Sequence, residues 1–302
     1  MSELVLYQEN PITTIIGLVT NAVASQNSKR AYKRALVEFF DWYDEQGRPP
    51  LVKDVVNRYK AHLLDNRNMS AASVNLALSA IRRFVAEAVD NGMQLPPGAA
   101  EGIGRVKGVK RQGVRTGNWL PKSEAQQLLD APDANTLKGK RDRAMLAIML
   151  GGGLRRSEVA NLTYEHIQMR DARWVIVDLI GKHNRVRTVP IPSWAKLAVD
   201  EWTTAAGLAT GPVFRAVNKG GKVAGSGMTP QAVYNAVVTY AEGLGAHDLR
   251  RTFAKLAHKG GAPLEQIQLT LGHASIKTTE IYLGVQQDLT HAPCDVLGLS
   301  IG

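Results

Sequence analysis

"HDLRRTFAKLAHKGGAPLEQIQLTLGHASIKTTEIYLG", residues 247 to 284, reads as three short helices, the second of them closed by Gly272. In the first, a separation of three positions puts His247 and Arg250 on one face, while Leu249, Phe253, Leu256 and Ala257 form an apolar stripe on another. Gly272 leaves His273 in a turn, and Ser275 is placed to cap the helix that bears Tyr282. Each piece alone has a bland reading. A surface helix decorated with bases looks much the same, and a tyrosine between Ile281 and Leu283 suits a half-buried core position.

Upstream, "TPQAVYNAVVTYAEGLG" is again helical, whereas "RWVIVDLI" (173–180) and "VRTVPIP" (186–192) are β-branched runs on either side of the turn "GKHNR" and predict a hairpin. Before it, "LPKSEAQQLLDA" and "GKRDRAMLAIMLGGGL" read as helices, the second ending in a glycine run suited to positive φ. That run opens "GGGLRRSEVANLT", which carries Arg155, Ser157 and Glu158. The expected class is mainly α with a small β-sheet, an α+β domain.

Toward the N-terminus, "SKRAYKRALVEFFDWYDEQG" places Tyr32, Leu36, Phe39 and Tyr43 on one stripe, with Ser28 as the expected N-cap and Gly47 past the end. "ASVNLALSAIRRFVAEAVDNG" turns Val74, Leu78, Ile81, Val85 and Val89 inward, with Arg82 and Arg83 beside them. Residues 1–101 thus predict a small helical bundle. Residues 102–117, with five Lys/Arg, no acid and five glycines, predict an exposed basic linker, and 118–302 a second domain.

The 302 residues hold 37 Lys+Arg against 27 Asp+Glu, a net +10 that favours a polyanionic partner. The charge is shared: 16 basic and 11 acidic residues up to position 117, 21 and 16 after it, so each part carries +5. The one cysteine, Cys294, excludes an intrachain disulfide, and the apolar stretch "PITTIIGLVTNAVA" is too short and too polar to cross a bilayer. A cytoplasmic protein without membrane attachment is expected.

Two arginines, two histidines, a lysine and a tyrosine, with neither thiolates nor a dense carboxylate cluster for metal, suit phosphoryl transfer. Planar guanidinium forks hold non-bridging phosphate oxygens bidentately, as a metal ion does elsewhere. A tyrosine hydroxyl, ordinarily near pKa 10, is a poor nucleophile at neutral pH, but a cationic pocket favours its phenolate and a neighbouring imidazole can take its proton. The expelled sugar oxygen needs a proton, which a lysine at a hairpin tip can give.

This ordered set resembles the tyrosine recombinase family, the phage-integrase and Xer-type enzymes that cut and rejoin DNA. Its G-L-R-x-S-E motif falls on Gly153 to Glu158, its hairpin lysine on Lys182, its H-x-L-R-R/H box on His247 to Arg251, its L-G-H box on Leu271 to His273, and its nucleophile on Tyr282. The resemblance implies Arg155 and Arg250 as phosphate clamps, with Glu158 in support. It also implies His247 and His273 as donors or proton carriers, Lys182 as the acid, and a 3′-phosphotyrosine intermediate that needs no metal, ATP or other cofactor. Arg251 and His183 adjoin the motifs and receive no role.

An N-terminal helical core-DNA-binding bundle and a C-terminal catalytic domain would clamp double-stranded DNA at specific recombination sites. The backbone contacts expected are Lys29, Arg30, Lys33, Arg82 and Arg83 on helices, and Arg105, Lys107, Lys110, Arg111 and Arg115 in the linker. The resemblance further implies a homotetramer on two DNA sites formed from chains that are monomers off DNA. The apolar tail "THAPCDVLGLSIG" would dock on a neighbour or on its own domain. With only about 20 residues before the first strong helix, no arm-binding domain is expected. An architectural DNA-binding protein and a strand-relaxing topoisomerase are the competitors; the first would show no strand exchange, the second would relax supercoils without paired sites.

Overall fold

The computed structural model describes residues 11–110, 118–181 and 185–284. Contacts divide the chain into two compact units, Met1–Val114 and Arg115–Gly302.

In the first unit the helices are α1 (Pro11–Asn21), α2 (Gln26–Glu45), α3 (Lys53–Ala61, continued by a π turn His62–Asn66), α4 (Ala71–Asp90) and α5 (Ala99–Gly104). The aromatic-rich face of α2 decides the core. Phe39 meets Tyr59 of α3 edge-on at 5.0 Å between ring centroids, and Phe40 meets Phe84 of α4 at 4.8 Å. Leu36 and Tyr43 are buried as the stripe requires and Tyr32 is half-buried, but α2 starts at Gln26, so Ser28 lies inside its first turn instead of capping it.

On α4, Val74, Leu78, Ile81 and Val85 face the core, whereas Val89 is 46% exposed. Stepping four residues beyond Val85 overshoots a 3.6-residue turn; the inward position is Ala88, three residues on, which is fully buried. The apolar N-terminal stretch is neither span nor loose end: as α1 it buries Ile15, Ile16 and Val19 in this core. Among the described residues, no helix is long and apolar enough to cross a membrane.

The expected linker is corrected over its first half. Residues 102–104 finish α5, and Ile103 and Val106 are buried. The Arg82 guanidinium donates to the Val106 carbonyl. The Asn75 amide brackets Val109, donating to its carbonyl at 2.9 Å and accepting its N–H at 2.8 Å. Lysines and glycines concealed two apolar residues at helical spacing, and a side-chain amide supplies the backbone partners that no sheet or helix provides.

The second unit is built on α7 (Leu137–Gly152), whose segment Ala144–Leu150 is buried on every side. Around it lie α6 (Lys122–Asp130), α8 (Arg156–Ala160), α9 (Ser193–Ala205), α10 (Pro230–Tyr240), α11 (Ala246–Lys259), α12 (Leu264–Leu271) and α13 (Ile276–Leu283). An antiparallel sheet runs β1 (Ile167–Arg170), β2 (Arg173–Ile180) and β3 (Val186–Pro190), with Ile176 opposite both Ile167 and Val189. A two-stranded ribbon, β4 (Ala216–Val217) and β5 (Val223–Ala224), completes it.

The β2–β3 hairpin is the one expected from its β-branched runs. The β1–β2 hairpin escapes sequence reading because its turn, Asp171–Ala172, takes positive φ at both positions (46° and 57°) without a glycine to signal it. Mainly helical with small sheets, the architecture is the α+β class expected.

Candidate active site

Gly153 makes the first corner. It closes α7 in the left-handed region, φ +62°, and a Cβ there would stand 2.6 Å from the Phe253 ring, so only glycine lets the chain turn and deliver Arg155 to the start of α8. The Glu158 carboxylate, one turn on, accepts the Arg155 backbone N–H at 2.8 Å and its guanidinium at 2.7 Å. Gly272, φ +64°, makes the second corner, closing α12 and presenting His273. Gln268 holds that turn from both sides: its carbonyl accepts the His273 N–H at 3.1 Å and its side-chain amide donates to the His273 carbonyl at 3.2 Å.

The two corners meet through arginine. Arg250, on α11 and 1% exposed, donates to the Gly153 carbonyl at 2.6 Å and to the Leu271 carbonyl; Arg155 reaches the same Leu271 oxygen at 3.4 Å. Residues about 100 positions apart in the chain thereby share one acceptor. Burial, followed by the charge of Arg155, pushes Arg250 down to about 9, still cationic at neutral pH.

Tyr282 of α13 stands against this cluster. Its ring lies edge-on to His247 at 5.6 Å and to His273 at 5.3 Å, the Arg251 guanidinium sits 4.9 Å over its face, and its hydroxyl donates to the His247 carbonyl at 3.3 Å. The His273 Nδ1 is 2.9 Å from the hydroxyl of the buried Thr279, one turn before Tyr282, which fixes the ring's orientation. Ser275 occupies the N-cap position of α13 without a side-chain bond.

Electrostatics correct one expectation. Burial raises the Tyr282 phenol above its ordinary value despite the opposing pull of Arg250 and Arg251, so the pocket holds a phenol and not a phenolate. Burial and neighbouring arginines also depress both imidazoles: His247 through Arg251 and Arg250, and His273, to about 4, through Arg250 and Arg155. The result is a protonated phenol flanked by two neutral imidazoles, which is the arrangement for transferring its proton upon attack.

Arg155, Glu158, His247, Arg250, His273 and Tyr282 are therefore gathered at one place. Lys182 lies outside the described residues; its hairpin root, Gly181, lies near Arg155, where an added Cβ would be 3.7 Å from Nη1. Two side chains of this cluster were missed. Arg251 drew no role from its motif, and Arg187, five residues beyond Lys182, forms a two-bond ion pair with Glu158. The signal available for Arg187 was a lone cation within the β-branched run of β3, of which only Val189 is buried. Among the described residues, no group of three or more His, Cys, Asp or Glu could hold a metal ion.

Comparison with known proteins agrees with this geometry. Residues 118–288 match the phage integrase family, and residues 16–92 match its N-terminal SAM-like domain. Tyrosine recombinase XerC of Stutzerimonas stutzeri is 31% identical over 265 residues, covering 85% of each chain. The chain belongs to the phage integrase family of tyrosine recombinases. This recombinase is also 26% identical to tyrosine recombinase XerD of Ralstonia nicotianae, over 87% of its own length and 85% of that protein's. Its fold is shared with the XerH site-specific recombinase bound to palindromic difH substrate (TM-score 0.69, 16% identity, 91% of each chain) and with lambda integrase bound to a core site (TM-score 0.67, 15% identity, 92% of this recombinase and 78% of that chain).

The expected DNA contacts of the recombinase's first unit differ among themselves. Arg30, Lys33, Lys107 and Lys110 are exposed and Lys29 is half-buried. Arg83 is paired with Glu87 at 2.9 Å, Arg105 with Glu101, and Arg82 is turned inward to Val106. Arg111 and Arg115 lie outside the described residues.

Proposed function

We propose that the recombinase cleaves and rejoins double-stranded DNA at specific sites, with Tyr282 as the attacking group. The observation that carries this is the shared acceptor: Arg155 at the start of α8 and Arg250 on α11 converge on the Leu271 carbonyl beside a tyrosine flanked by two neutral imidazoles. Two guanidinium forks oppose the charge spreading over the scissile phosphate's non-bridging oxygens. The Tyr282 oxygen forms a bond to phosphorus as the bond to the 5′-oxygen breaks, His273 or His247 takes the phenolic proton, and Lys182 gives its own proton to the departing 5′-oxygen, which leaves as a hydroxyl. One phosphoester replaces another, and attack by a partner strand's 5′-hydroxyl reverses the step.

Lys29, Arg30, Lys33, Lys107 and Lys110 serve as contacts to the phosphate backbone, with Arg83 and Arg105 joining by exchanging exposed ion pairs that hold them weakly. Arg82 is assigned to the fold of the first unit. Four chains on two DNA sites make the proposed assembly, and the cytoplasm is the compartment that goes with this reading.

The test uses a nicked duplex selected from a randomised pool for covalent capture by the wild-type protein. Tyr282→Phe should abolish the denaturation-resistant adduct while leaving binding to that duplex intact. An adduct that persists in the variant would falsify the assignment of the nucleophile.

A further inference from the structure

We propose that Arg187 is a positioning residue for strand cleavage, locking Arg155, the His273 turn and the root of the β2–β3 hairpin into one unit; the inference rests on the recombinase reading above. Its side chain is 9% exposed and every donor nitrogen is engaged inward. Nη1 donates to Glu158 Oε1 at 2.9 Å, Nη2 to Glu158 Oε2 at 2.8 Å, and Nε to the Thr270 carbonyl at 2.8 Å. Each oxygen of Glu158 thus accepts one bond from Arg187 and one from Arg155. Arg155, by contrast, keeps 28% of its side chain open to solvent. The division of labour follows: Arg155 can meet a phosphate, and Arg187 fixes where it does so.

Two close approaches extend this hold. A Cβ on Gly272 would lie 2.9 Å from Arg187 Cδ, so the turn that presents His273 rests directly on this side chain. One on Gly181 would lie 3.4 Å from Arg187 Nη1, which puts the hairpin root on its other side. Glu158 alone cannot do this. Its carboxylate orients Arg155 from within α8, and Arg187, standing on β3 and bonded to the Thr270 carbonyl, ties that carboxylate to both the end of α12 and the strand. Lysine retains the charge and loses the planar fork, so Arg187→Lys separates geometry from electrostatics.

The experiment measures single-turnover adduct formation on the captured nicked duplex at saturating protein. The rate constant is taken from the fraction that reacts, and affinity from fluorescence anisotropy on the same DNA. Arg187→Lys should slow the rate constant on the order of 10²-fold, the cost of roughly an ångström of misplacement, with affinity little changed. Glu158→Gln combined with Arg187→Lys should be no slower than the slower single variant, since both break one relay. Val189→Ala, a fully buried residue of the same strand, should lower the melting temperature and leave the rate constant unaltered.

A wild-type rate constant in Arg187→Lys, with only the reactive fraction or the melting temperature reduced, overturns the proposal and leaves Arg187 a fold-stabilising ion pair. Losses that multiply in the double variant overturn it as well, as does failure of both Arg187→Lys and Arg187→Gln to fold. Absence of any adduct from the wild-type protein would instead strike the recombinase reading itself.

Discussion

Two buried arginine–carboxylate networks occupy the second unit, and they are balanced differently. In α7, Asp142, 1% exposed, accepts two bonds from Arg141 (2.9 and 2.6 Å), one from Lys138 (2.9 Å) and one from the Tyr240 hydroxyl (3.0 Å). Lys138 keeps about half its side chain in water, so the buried charge there is one cation against one anion. At the corners of α8 and α12, Glu158 pairs with Arg155 and Arg187, and among the described residues the neighbouring Arg250 hydrogen-bonds only to carbonyl oxygens. A buried cation without a counter-charge is costly unless something outside the chain supplies it. The first network is complete as it stands; the second awaits an anion, and that difference marks the active site more sharply than any single residue in it.

Breaking the unbalanced network should have the largest effect. Arg250→Ala should reduce cleavage of the nicked duplex by about 10³–10⁵-fold, the loss typical of a transition-state arginine in phosphoryl transfer, measured as single-turnover adduct formation. A loss under tenfold would show that the phosphate is held elsewhere.

Breaking the balanced network should reverse the pattern. Asp142→Asn leaves Arg141 buried without its partner, which should cost about 3–5 kcal/mol of stability, read from urea unfolding, while the rate constant of the folded enzyme stays as in the wild type. Equal damage to chemistry would mean that the two networks are not separate in function.

The smallest effect sharpens the comparison through pH. Burial, followed by the positive charge of Arg250 and Arg155, holds His273 near 4, below its ordinary 6.5. Between those values the unfolded chain binds a proton that the native ring refuses, so this group's stabilising contribution is whole above 6.5 and is lost as pH falls toward 4. In the free protein, the His273 ring resonance should titrate with a midpoint near 4, and Arg250→Ala should move it upward. A midpoint near 6.5 in the wild type would mean that the surrounding arginines are screened.

The sequence was legible where local chemistry has one solution. Gly153 and Gly272 sit at corners that demand positive φ, the β-branched runs flank a turn, and the boxes around His247, His273 and Tyr282 keep their order. It was opaque where partners are remote or polarity misleads. Residues 102–110 looked like part of a tether, and neither the ion pair of Arg187 with Glu158 nor the packing of "PITTIIGLVTNAVA" into the first core left a local signal. The ionisation of Tyr282 was misjudged because charge can be counted along a chain while burial cannot.

By itself, then, the chain determined its helices, its hairpin and the order of its candidate reacting groups, because propensity, turn geometry and motif spacing act over a few residues. Only the tertiary structure decided that two arginines would share the Glu158 carboxylate beside a third, and that the phenol near them would keep its proton. Both are properties of distances between segments far apart in sequence and of the water excluded as they close.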